Sequence, residues 1–133
     1  MINSAMAVNL QGIYSVPIDR KTYNRKKIKI IVDSLIEQLC DYYFSRKPSG
    51  VSNVRVLINR DKGQFQDSQD KVILDSFSKV LRSYEDVFAT SYCGHTEEVE
   101  KFVDEKLKEL TRNISNHSNL SNNPEIQRLK GML

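Results

Sequence analysis

The chain is poor in the residues that staple or punctuate a fold: two cysteines, three prolines and five glycines in 133 residues. Cys40 and Cys93 stand far apart and supply neither a disulfide framework nor the paired spacing of a metal site. Reduced thiols in a cytoplasmic compartment follow from that usage, with no metal expected. Gly12, Gly50, Gly63, Gly94 and Gly131 are too dispersed for a phosphate-cradling loop, so no nucleotide cofactor is expected either. No apolar run approaches the roughly 18 residues of a membrane span, and the first ten residues lack the basic start and apolar stretch of a signal peptide. The 39% apolar and 28% charged content allows a modest core and excludes a wholly disordered or collagen-like chain. The length fits one domain and is too short for a barrel of eight βα units.

Read along the chain, residues 1–9 form a loose start. Gly12–Ile18 carries the β-branched and aromatic residues of a short strand, confined to a sheet edge by Pro17. From Tyr23 to Arg46, Ile28, Ile31, Leu35, Leu39 and Tyr42 fall at helical spacing. Lys47–Gly50 ends that helix. Val51–Asn59 alternates and is rich in β-branched residues, the pattern of a strand, and the Asp61–Gly63 turn folds it back on Gln64–Gln66. Asp67 or Ser68 caps a second helix whose stripe of Val72, Ile73, Phe77, Val80, Leu81, Tyr84, Val87 and Phe88 runs to about Tyr92. In a competing reading Val87–Tyr92 is a strand, giving a small α/β domain of βαβαβα order. Thr96 caps a third helix that buries Val99, Phe102, Val103, Leu107, Leu110 and Ile114. The expectation is a helix-rich α+β domain: three long helices, one clear strand and one or two more. One globular domain spans 10–114, a polar linker 115–124, and a short helical tail 125–133 that needs a surface to pack on.

The strongest charge feature is Arg20, Lys21, Arg25, Lys26, Lys27 and Lys29, six cations in ten residues without an acid. Four of them lie in the opening turns of the first helix, where the dipole resists positive charge. That placement suggests an external anion, an acidic protein surface or nucleic acid, with Tyr23 available to stack. The alternative is internal: the acidic Glu97–Glu109 stretch of the third helix neutralises these cations. Elsewhere, Asp61, Asp67 and Asp70 do not follow calcium-loop order. Cys93-Gly94-His95 pairs a thiol with an imidazole but lacks a third group to orient the base.

Arg112-Asn113-Ile114-Ser115-Asn116-His117 places an arginine and a histidine at a helix end, about 140° apart on a regular helix. This Arg-Asn-x-x-x-His spacing resembles the signature of the HEPN superfamily of helical-bundle proteins, which includes metal-independent and often dimeric endoribonucleases. The resemblance covers six residues. It implies catalytic roles for Arg112 and His117, the imidazole moving a proton while the guanidinium neutralises phosphoryl charge, and a positioning role for Asn113. Asn116 and the Val51–Asn59 strand depart from the family pattern. Three functions therefore stand side by side. One is a non-enzymatic interaction module using the basic helix end, another a ribonuclease, and the third a helix-mediated oligomerisation or adaptor domain whose tail docks on a neighbour.

Overall fold

The structure is a computed structural model that describes residues 20–89 and 96–133. Every regular element among them is helical. In order they are α1 (Arg20–Phe44), α2 (Val51–Asp61), α3 (Ser68–Ala89), α4 (Thr96–Ser115) and α5 (Pro124–Met132), with short 3-10 turns at Lys62–Gln64 and Leu120–Asn122. The α+β expectation is overturned, because no strand occurs among the described residues.

The correction turns on Val51–Asn59. An alternating reading puts Val54, Val56 and Ile58 on one face. In the helix Val54, Leu57 and Ile58 are buried at spacings of three and four, while Val56 stays 61% exposed. A run this short matches both periods, and packing against α3 decides it over β-propensity. The hairpin is likewise replaced by the Lys62–Gln64 turn, which delivers the chain to Asp67. The Asp67 carboxylate accepts from the amides of Gln69 (2.8 Å) and Asp70 (3.3 Å), capping α3. Because α3 continues through Ala89, a strand beginning at Val87 is excluded. Gly12–Ile18, residues 90–92 and Cys93-Gly94-His95 lie outside the described residues.

Side-chain pairs fix the packing directions. Arg25 meets Glu100 near one end of α1, and Tyr42 meets Asn119 beyond the other, so α4 runs parallel to α1. Gln69 and Ser76 of α3 both bond Asn113 of α4, making α3 and α4 an antiparallel hairpin. Ser34 bonds Glu125 and Gln38 bonds Asn123, so α5 lies antiparallel on α1. The stripes Ile31/Leu35/Leu39, Ile73/Phe77/Leu81 and Leu107/Leu110/Ile114 are buried where α1, α3 and α4 converge. On the far side of α3, Ser52 and Arg55 of α2 bond Glu85.

Residues 115–124 are not a loose linker. His117 and Leu120 are buried, and the Asn123 side chain accepts from the amides of Glu125 (2.9 Å) and Ile126 (3.2 Å) to start α5 behind Pro124. Nine residues are too few to hold a helix in water. Packing holds α5: Ile126 and Leu129 are fully buried, so the tail's surface is its own α1 and α4.

Two tests follow from the helix ends. Ser45 closes α1 in the left-handed region at φ 55°, with its amide on the Asp41 carbonyl at 3.2 Å. Glycine adopts that conformation without strain, so Ser45→Gly raises stability by about 0.5–1 kcal/mol in thermal denaturation. Hydrogen bonds from Arg128 and Ser34 hold the Glu125 carboxyl down to about 2 from an ordinary 4.5. A depressed carboxyl contributes stability above its ordinary value and loses it as pH falls through the lowered one. Amide protection factors in α5, taken relative to the intrinsic exchange rate at each pH, therefore fall between about pH 4.5 and 2, and Glu125→Gln removes that part of the response.

Candidate functional site

The basic run and the Arg-Asn-x-x-x-His motif occupy opposite ends of the bundle. Of the six cations, Arg20 and Lys21 begin α1, but their side chains, like that of Tyr23, lie outside the described residues. Arg25 turns inward: its Nε donates to Glu100 Oε2 at 3.0 Å, and Glu100 is only 5% exposed. A carboxylate so buried requires a cation beside it, and Arg25 meets that requirement. Lys29 bonds Asp33 at 2.7 Å one turn along, and the Asp33 carboxylate keeps the ammonium above its usual range. Lys26 is exposed and has no ion pair among the described residues. Two of the cations are thus neutralised by the chain itself, one of them by the acidic α4.

Lys27 lines a cleft of about 500 Å³ between α1 and α4. Ile28, Ile31 and Leu107 form its floor, and Glu97, Glu98, Glu100, Lys101 and Asp104 line the α4 side. Sequence reasoning placed the acidic face of α4 near these cations only as a neutralising surface. A cleft depends on how far two helices separated by about 70 residues stand apart, which no local pattern encodes.

At the other end the motif is built into the fold. Asn113 is half-buried; its side-chain amide donates to Ser76 Oγ (3.1 Å), and its carbonyl accepts from Gln69 (2.8 Å). His117 is 9% exposed. Its Nδ1 accepts from the backbone amides of Asn119 and Leu120, each at 3.1 Å, which leaves the ring proton on Nε2. Nε2 lies 3.0 Å from Asp70 Oδ1, the oxygen that also accepts from Tyr43 Oη at 2.9 Å. Burial and the Asp70 bond push the Tyr43 phenol upward, so it remains a neutral donor. The ring also meets Tyr42 edge-on, centroids 5.4 Å apart. Both imidazole nitrogens are therefore engaged within the chain.

Arg112 is exposed on the last turn of α4, where a cation suits the helix dipole, and no hydrogen bond or ion pair holds it. The motif's arginine and histidine are not joined by any contact. Sequence weighs Asp70 only as a loop acid; that it orients His117 and shares its oxygen with Tyr43 is not legible, because the two residues sit 47 and 74 positions away from the histidine. Among the described residues no three His, Cys, Asp or Glu side chains group as metal ligands. Asp61 pairs with Arg60, Asp67 caps α3, and Asp70 serves the histidine. No protein-family model, curated protein or solved structure matches the chain.

The two motif residues should separate in a denaturation experiment. His117→Ala removes the acceptor for two amides and leaves Asp70 with Tyr43 as its one side-chain donor among the described residues, costing about 2–4 kcal/mol in urea unfolding. Arg112→Ala stays within about 0.5 kcal/mol of wild type.

Proposed function

We propose that this protein is a non-enzymatic interaction module that contacts a macromolecular partner where α1 and α4 run side by side. The observation that carries the reading is the cleft: an apolar floor of Ile28, Ile31 and Leu107 within a charged rim. Apolar floors with polar rims bind side chains, the floor supplying burial and the rim register. The earlier expectation of a purely basic contact is revised in charge. Arg25 and Lys29 are satisfied internally, and Lys27 faces carboxylates. An adaptor tail has little support, since α5 spends its apolar face on its own chain. A cytoplasmic setting accompanies the reading, Cys40 being a free buried thiol whose burial pushes it up to about 11. No helix among the described residues is long and apolar enough to cross a membrane.

A second reading, the metal-independent ribonuclease, is favoured by one specific observation. His117 is oriented by a carboxylate in an all-helical bundle, with the unpaired Arg112 at the same helix end. The strand that departed from the HEPN pattern is gone, but the imidazole has no free nitrogen until its backbone or Asp70 bonds open.

Titrating ¹⁵N-labelled protein with a single-stranded RNA 12-mer and with amphipathic peptides of either charge distinguishes the two. The module reading expects at least one probe to shift amides of 25–31 and 97–107 while RNA stays intact in EDTA. Shifts confined to 112–119, or no shifts at all, overturn it. Cleavage in EDTA that Arg112→Ala abolishes puts the ribonuclease in its place.

A further inference from the structure

We infer that the α1–α4 cleft takes a short cationic amphipathic helix, its apolar side chains on Ile28, Ile31 and Leu107 and its Lys or Arg residues against Glu97, Glu98 and Asp104. This names the partner class of the interaction module and rests on that reading.

The bundle already contains such a complex in miniature. Helix α5 has nine residues, packs on α1 and α4, buries Ile126 and Leu129 three residues apart, and ties its polar flanks to the walls. Ser34 bonds Glu125 at 2.6 Å, Gln38 bonds Asn123 at 3.0 Å, and Lys130 bonds Ser115 at 2.5 Å. These two parallel helices thus accept a third by burying a pair of apolar residues and bonding the flanks, the general mode of a helix in a groove. The open cleft lies on the same pair of helices, towards their N-terminal halves. From Glu97 to Leu107 the α4 wall is about 15 Å long, which a partner helix of about ten residues spans.

Charge selects the partner. Four carboxylates line the cleft, but Arg25 already neutralises Glu100, so three, Glu97, Glu98 and Asp104, face two ammonium groups, Lys27 and Lys101. Arg25 is already consumed by Glu100 beneath the surface, and Asp104 is held only by the half-exposed Lys108, a rim pair that a competing cation displaces at little cost. Glu97 and Glu98 are exposed and make no ion pair among the described residues. Phosphate groups or an acidic segment entering here would meet more carboxylate than ammonium, whereas lysine or arginine flanks complete pairs left open among the described residues.

The test is fluorescence anisotropy with labelled 12-residue peptides that share one leucine stripe and differ only in flanks, lysine in one and glutamate in the other. A labelled RNA 12-mer is titrated with the protein separately, because RNA mixed with the lysine peptide would bind it directly. The lysine peptide is expected to bind at least tenfold more tightly, to weaken as salt rises, and to lose at least tenfold in affinity in Glu97→Lys/Glu98→Lys protein. Both positions are exposed, so circular dichroism of that variant should match wild type. Equal or stronger binding of the glutamate peptide, or tighter binding of the labelled RNA 12-mer than of the lysine peptide with loss in the double variant, overturns the cationic partner while leaving an interaction module. Undiminished binding to the double variant removes the cleft as the lysine peptide's site. Failure of every probe to shift α1 and α4 amides brings down the module reading as well.

Discussion

Asp70 is where the bundle closes. Its Oδ1 is shared by Tyr43 at the end of α1 and by His117 in the segment leaving α4, while its amide is capped by Asp67 at the start of α3. One carboxylate oxygen thereby sets the relative positions of three elements. A partly buried anion pays for its lost hydration only if donors surround it, so the placement of Tyr43 and His117 follows from the charge they serve. His117 then orders the chain beyond it. With its proton directed to Asp70, Nδ1 is left to accept the Asn119 and Leu120 amides, and the 3-10 turn they begin leads the chain to Asn123 and α5.

A second buried anion sets the character of the opposite end. Glu100 lies under the junction of α4 with α1, and Arg25 reaches in to neutralise it. Seen as sequence, the cations from Arg20 to Lys29 form a uniform basic block. Seen in three dimensions, their directions differ: Arg25 points inward, Lys27 towards the acidic cleft, Lys26 outward, and Lys29 along its own helix to Asp33. A helix turns each successive residue by about 100°, so a run of like charges is never a single patch. What a partner meets is set by the opposing helix as much as by α1.

The long helices were legible because their apolar stripes persist over about four turns each, and α1, α3 and α4 fall within a few residues of the positions their periodicity predicts. Failures came where the signal was short or long-range. Nine residues of Val51–Asn59 satisfy two periods, and only the burial of Leu57 beside an exposed Val56 separates them. The asparagine-rich 115–124 read as solvated because its composition is polar, yet polarity is what a tight turn consumes. Asn123 spends its side chain on two amides and His117 both its nitrogens, leaving Leu120 to be buried. The candidate cleft was out of reach for a different reason: its two walls come from helices far apart in the chain.

The same accounting separates the members of the Arg-Asn-x-x-x-His motif. Asn113 and His117 are four apart because one reaches back to Ser76 on α3 while the other, past the helix end, turns onto Asp70 at the start of that same helix. An antiparallel neighbour that must be gripped at two heights selects that spacing with no reaction involved. Arg112 is the exception. It contributes its charge to the helix end but makes no hydrogen bond or ion pair among the described residues, so neither ion pairing nor capping accounts for an arginine in place of another exposed residue. If chemistry resides at this end of the bundle, it begins from Arg112, and the histidine must first give up bonds on which the fold of α5 relies.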